Sequence, residues 1–246
     1  MSTMEERRAT ALAGPDSGTN GWATRVVLQP IAAPSVLGLF GFAGATMIVA
    51  SNLAGWWGTT DSPVILAPFA GFFGGMAQFL AGMWAYKARD AVATAMHGMW
   101  GSFWLAYMTL FILVATGQIT VDRTFDQALG FWFVALAAIT WSGMLGALAE
   151  ASLGIVAVLG TLAAGSTLAA IGLVGDVSWT TKLGGWLFVV AAGCAWYMAT
   201  AMMVNAAAGR TVMPLFKGSA AANVPGRKAT RAIELDWAEP GVKQGQ

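Results

Sequence analysis

Inside its apolar segments the chain carries a few amides and hydroxyls that could form hydrogen bonds, namely Asn52, Gln78, Ser102, Tyr197 and Asn205. Asn52 and Gln78 lie in rows of small residues at helical spacing, so each of them shares a helix face that favours close packing. An uncompensated amide in hydrocarbon costs several kcal/mol. Each amide therefore requires a partner helix or a wet cavity, and the sequence leaves both alternatives open.

Apart from Glu150 at a segment end, His97 is the only acidic or basic side chain within these segments. An imidazole ordinarily titrates at about pH 6.5, so a modest shift lets it exchange a proton near neutral pH. His97 is therefore a candidate proton site. The alternative is a neutral histidine that is hydrogen-bonded between helices.

The sequence contains no HExxH, GxSxG or P-loop motif and no pair of buried carboxylates that could act as acid and base. Cys194 is the only cysteine, which excludes an intramolecular disulfide and a four-ligand zinc site. The net charge of +1 excludes the broad basic surface of a nucleic-acid-binding protein. We therefore expect no enzymatic activity, no metal, no cofactor and no nucleic-acid partner. A permeation pathway is the simplest function for such a chain.

The elements that position these residues are predicted to be membrane-spanning helices. Hydrophobic residues make up 57% of the 246 residues and charged residues only 10%, with a mean hydropathy of +0.64. A hydrocarbon core requires about 20 apolar residues in a helix, and the runs are continuous, unlike the alternating strands of a barrel. Six segments qualify: Ser35–Ala54, Val64–Trp84, Ala93–Thr116, Leu129–Ala149, Leu153–Val174 and Leu183–Asn205. The sequence thus predicts an all-α bundle of six transmembrane helices, with a tight hairpin at Glu150.

The basic residues predict the orientation of this bundle. If both termini share one side, that side holds Arg7, Arg8, Arg25, Lys87, Arg89, Arg210, Lys217, Arg227, Lys228, Arg231 and Lys243. Only Arg123 and Lys182 lie on the other side, so the positive-inside rule places both termini in the cytoplasm. We expect a multi-pass protein of the inner (cytoplasmic) membrane. We predict a transport domain over residues 31–217, between disordered cytoplasmic tails at 1–30 and 218–246.

Four sequence blocks resemble the acetate uptake transporter family, the succinate–acetate permease group. They are LGLFGF at residues 37–42, GGMAQFLAG at 74–82, GSFW at 101–104 and GRTVMP at 209–214. The blocks follow the family's order, and the number of spans agrees. At several positions the chain departs from the pattern. Trp100 stands where the family usually has Tyr, and His97 stands where Phe is typical; Ala33, Val36 and Ala85 also differ.

The resemblance implies a homo-oligomeric, hexameric carrier that moves acetate and related carboxylates, such as succinate or lactate, together with protons. It also implies a constriction formed by Phe42, Trp100 and Leu162, and a position at Ala195 that affects substrate choice. Pro34 suits a helix start, where free N–H groups and the positive end of the dipole would favour a carboxylate. The amides and hydroxyls named above would coordinate the carboxylate along the pathway.

We further predict that Trp100 narrows the constriction and favours small monocarboxylates, because an indole is bulkier than a phenol and its N–H only donates. That N–H would suit a carboxylate.

Two rival functions remain open: a passive weak-acid or anion channel of the same fold, and a membrane sensor or scaffold that transports nothing.

Overall fold

The computed structural model describes residues 31–59 and 61–218, and in this part of the chain it contains six helices long and apolar enough to cross a membrane. Their bounds are α1 (Ser35–Leu53), α2 (Ser62–Ala88), α3 (Ala91–Ala115), α4 (Arg123–Ala149), α5 (Leu153–Gly175) and α6 (Ser178–Ala208). The predicted all-α fold of six spans is confirmed. Of the predicted tails at 1–30 and 218–246, residues 1–30 and 219–246 lie outside the described residues.

The helices pack in sequence order into a closed ring, with α6 returning against α1. The contact between α3 and α4 is the sparsest in this ring, and aromatic side chains make up much of it. Phe103 on α3 lies 5.3 Å from Trp132 and 5.5 Å from Phe133 on α4, measured between ring centroids. Aromatic pairs at this separation add to the stabilisation by burial, so this cluster closes the ring on its least packed side.

A π-helical segment at Ala70–Ala77 interrupts α2. It follows Pro68, which has no N–H to donate and whose ring disturbs the preceding turn. Glycines in this segment allow close approach: a Cβ on Gly74 would lie 2.5 Å from the Trp104 indole on α3, and one on Gly75 would lie 2.8 Å from Leu105. The middle of α2 is therefore held tightly against α3 and cannot accept larger side chains there.

Short turns with defined caps join the helices. Asp90 caps α3 by accepting a hydrogen bond from the Ala93 N–H at 2.8 Å, and Asp122 caps α4 in the same way. Helix α4 ends at Ala149, and only residues 150–152 separate it from α5, so the hairpin predicted at Glu150 is confirmed.

After α6, residues 210–218 fold back beneath the bundle as a C-terminal segment. The buried Asn205 holds it: its Nδ2 donates to the Met213 carbonyl at 2.7 Å, and its Oδ1 accepts from the Val212 and Met213 N–H groups. The Leu153 N–H donates to the Phe216 carbonyl at 3.2 Å. The segment is thereby fixed across the ends of α5 and α6.

Candidate functional site

A cavity of about 280 Å³ enters the bundle from the end where α1, α3 and α5 begin. Its lining comes from five helices, from the α2–α3 and α4–α5 turns, and from Leu215 and Lys217 of the C-terminal segment. This is the end that is predicted from the sequence to be cytoplasmic. The cavity lies within a single chain and has mainly apolar walls.

Three charged side chains lie at the mouth of this cavity: Asp90, Glu150 and Lys217. Partial burial and the neighbouring Asp90 carboxylate raise the pKa of Glu150, and Lys217 opposes this shift. The mouth therefore combines one basic side chain with two acidic ones, and the charge of Glu150 depends on its burial and on these two neighbours.

The floor of the cavity is formed by the apolar residues that lie deepest in its lining, next to Gln78 on α2. On α1, α3 and α5 these are Phe42, Trp100 and Leu162, which are 3%, 3% and 2% exposed. The Phe42 and Trp100 rings meet edge to face, with centroids 6.2 Å apart. Phe42 stands about 10 Å along α1 from its first residue at 1.5 Å per residue. The structure thus brings the three residues of the predicted constriction into the lining of one cavity.

A hydrogen bond to α4 fixes the orientation of the Trp100 indole. Its Nε1–H donates to the Thr140 hydroxyl at 3.0 Å, and that hydroxyl donates in turn to the Leu136 carbonyl at 2.6 Å. The N–H that was expected from the sequence to suit a carboxylate is thus bonded to Thr140 in the structure, because a buried indole N–H in an apolar wall binds the nearest acceptor. Trp100 presents its ring to the cavity, and its polar atom points into the protein.

Gln78 and His97 lie together on the wall next to the floor. The Gln78 Oε1 is 3.4 Å from the His97 Nδ1, and the Gln78 Nε2 donates to the Gly74 carbonyl at 2.9 Å. Both side chains are buried and both line the cavity. For Gln78, the structure therefore provides both a partner helix and a cavity.

The structure places the other predicted pathway residues, Asn52, Ser102, Ala195, Tyr197 and Asn205, outside the lining of this cavity. Asn52 donates to the Trp57 carbonyl at the far end of α1, and Ser102 donates to the Gly98 carbonyl of its own helix. Tyr197 donates to the Pro214 carbonyl, and Asn205 holds the same C-terminal segment. Ala195 is fully buried in the core. Four of the five thus have polar groups bonded to nearby backbone.

A second cavity of about 270 Å³ lies at the opposite end of the bundle, where α4 and α6 begin. Arg123, Asp126, Asp176 and Lys182 are among its lining residues. The Arg123 guanidinium donates to the Leu173 and Val174 carbonyls at the end of α5. Buried aromatic residues, including Phe103 and Phe188, form the core between the two ends.

Sequence reasoning missed three features of this site: Thr140, which orients Trp100; Met198, which completes the floor from α6; and Leu215, which carries the wall onto the C-terminal segment. In the sequence, a single threonine or methionine in an apolar run looks the same whether it lines a cavity or only packs between helices. The apolar run VMPLF at residues 212–216, after the last span, was the one available hint.

Comparisons with known proteins agree with this architecture. The chain is 28% identical over 185 residues to the succinate-acetate/proton symporter SatP of Escherichia coli, which covers 75% of this chain and 95% of SatP. It is 29% identical over 178 residues to ammonia transport outward protein 2 of Saccharomyces cerevisiae, covering 71% of this chain and 62% of that protein. A solved structure of the bacterial acetate channel SatP matches with a TM-score of 0.68 at 27% identity, covering 75% of this chain and 98% of the channel.

These relatives are transporters or channels, in line with the expectation that the chain is not an enzyme. Residues 18–217 match the pattern of the GPR1/FUN34/yaaH family, which comprises the acetate uptake transporters. This range includes all six helices, the cavity and the C-terminal segment up to Lys217. The chain therefore belongs to the GPR1/FUN34/yaaH family.

Proposed function

We propose that the protein moves acetate and related small carboxylates across the membrane through each protomer. The observation that carries this proposal is the cavity itself, which leads from a charged mouth to a floor of Phe42, Trp100 and Leu162. The names of the relatives supply the substrate class, because one is a succinate-acetate/proton symporter and another an acetate channel.

The chemistry of the cavity suits a small amphipathic acid. Its apolar walls accommodate a methyl group, and Lys217 at the mouth attracts a carboxylate by charge. The first turn of α1, at Pro34 and Ser35, borders the same space, where the positive end of the helix dipole favours an anion. At the floor, an ion would have to shed its water between three apolar side chains, which favours passage of the neutral acid.

Whether protons accompany the substrate separates a symporter from a channel, and the relatives' names include both. We propose that a proton moves with the substrate. Two features of the cavity support this: its apolar floor favours the neutral acid, and His97, a candidate proton site, lines its wall. Proteoliposomes loaded with unlabelled acetate should accumulate labelled acetate by counterflow, and an inward proton gradient should drive uptake above equilibrium. Equilibration that ignores the proton gradient would favour a passive anion channel.

We also propose that both termini are cytoplasmic, that the membrane is the inner (cytoplasmic) one and that protomers assemble as a hexamer. The distribution of Lys and Arg supports the orientation. Reporter fusions after Arg89 and Gly209 should report a cytoplasmic location, and a fusion after Asp122 should report an external one. A cytoplasmic signal at Asp122 would contradict this topology. Native mass spectrometry of the purified protein tests the hexamer.

A further inference from the structure

One wall of the cavity contains a hydrogen-bond relay from His97 on α3 through the amide of Gln78 to the Gly74 carbonyl on α2. Helices α2 and α3 approach closely there, because a Cβ on Gly82 would lie 2.8 Å from the Gly98 backbone nitrogen, and one on Gly101 would lie 2.6 Å from the nitrogen of Phe79. This close approach brings the amide of Gln78 within reach of the imidazole of His97. The pair is therefore built into the helix packing.

The relay determines which nitrogen of His97 carries the proton. Because the Nε2 of Gln78 donates to the Gly74 carbonyl, its Oε1 is the atom that faces His97 at 3.4 Å. An amide oxygen only accepts hydrogen bonds, so the Nδ1 of His97 must be the donor. In a neutral ring with Nδ1 protonated, Nε2 holds a lone pair and can only accept.

That lone pair is available to a ligand. Gly38 on α1 packs against the Nδ1 side of the ring, since a Cβ there would lie 2.5 Å from both Cε1 and Nδ1. Within residues 31–59 and 61–218, no hydrogen-bond partner occupies Nε2, although His97 is only 6% exposed and lines the cavity. The other charged or titratable side chains that line this cavity, Asp90, Glu150 and Lys217, lie at its mouth.

We propose that His97 Nε2 is a binding site for the undissociated carboxylic acid and accepts a hydrogen bond from its O–H group. This proposal rests on the proposed function and specifies the form of the substrate that is bound beside the floor. A carboxylate anion has no proton to donate and would meet a lone pair at this point. The site therefore discriminates between the two protonation states of one substrate and supplies acid to the apolar constriction.

The chain's only histidine makes a direct test possible. The protein, labelled with ¹⁵N-histidine and purified through a tag without histidine, would be placed in lipid nanodiscs for NMR. Without ligand we expect the Nδ1–H tautomer. Acetate at acidic pH, where a share of it is undissociated, should shift the Nε2 resonance. Methanesulfonate, an anion of similar size that stays ionised, should leave it unchanged.

Each outcome decides the proposal. A proton on Nε2 without ligand, an equal response to both compounds, or no response to acetate would overturn it. The variant Gln78→Leu should release the tautomer and give a mixture of the two forms, and His97→Phe should weaken the apparent affinity for acetate at acidic pH about five-fold, as expected for one lost hydrogen bond. Uptake of labelled acetate by the wild type, measured in parallel, tests the proposed function separately. Uptake without the Nε2 response would refute only the present inference.

Discussion

The hydrogen bond between Trp100 and Thr140 should control how firmly the cavity floor is closed. In Thr140→Val the shape of the side chain is retained, but the acceptor for the buried Trp100 Nε1–H is lost. An unsatisfied buried donor costs about 1–3 kcal/mol. This free energy corresponds to a change of about 5-fold to 150-fold in the population ratio of two rotamers of Trp100. One is the observed rotamer, whose indole faces Thr140, and the other is a rotamer turned away from it. A turned indole would no longer meet Phe42 at 6.2 Å, and the floor would open.

The assay is uptake of labelled acetate, lactate and succinate by reconstituted protein. We expect Thr140→Val to raise uptake of lactate and succinate relative to acetate. A matched control exists on the outer surface, where the Trp141 indole donates to the Thr167 hydroxyl at 3.2 Å, away from the cavity. Thr167→Val removes an equivalent bond and should leave the uptake ratios unchanged. Wild-type ratios in Thr140→Val, or an equal change in both variants, would refute this account of the floor.

Three further predictions follow from the mouth, the floor and the C-terminal segment. Leu162→Ala should widen the floor and raise uptake of succinate relative to acetate, at a stability cost of about 2–5 kcal/mol measured by denaturation; an unchanged ratio would place the constriction elsewhere. Because partial burial and Asp90 raise the pKa of Glu150, ionisation of this residue destabilises the fold as pH rises through that pKa. Glu150→Gln should therefore raise the Tm at neutral pH but not at acidic pH, and an equal Tm difference at both would contradict this. Asn205→Ala removes three hydrogen bonds to the C-terminal segment, so trypsin should cleave after Arg210 faster than in wild type, and equal cleavage rates would argue against its anchoring role.

Much of the fold follows from the sequence because the bilayer imposes a simple rule. Each helix requires a long apolar run, and the six runs were readable together with the turn at Glu150. The π-helical segment at Ala70–Ala77 was not predicted, since Pro68 and several glycines are also compatible with a plain kink. The helix after Asp122 begins six residues earlier than the predicted Leu129, at Arg123, because polar residues in a first turn do not alter apolar periodicity.

The site was predictable only in part. Phe42, Trp100 and Leu162 were identified through a family resemblance, since packing alone would produce the same residues in the same rows. Asn205 and Gln78 are both buried amides, yet one fastens the C-terminal segment and the other lines the cavity. The sequence cannot separate these roles, because both satisfy the same requirement for a hydrogen-bond partner.

The central claim, that carboxylates cross through this cavity in each protomer, is tested most directly by blocking the cavity after the protein has folded. Cys194 is the only native cysteine, so Cys194→Ala provides a background for Leu159→Cys on the cavity wall. Proteoliposomes of this double variant should take up labelled acetate, and modification by a bulky methanethiosulfonate reagent should abolish the uptake, whereas the Cys194→Ala protein should be unaffected. Undiminished uptake after complete modification at Leu159→Cys would contradict the account.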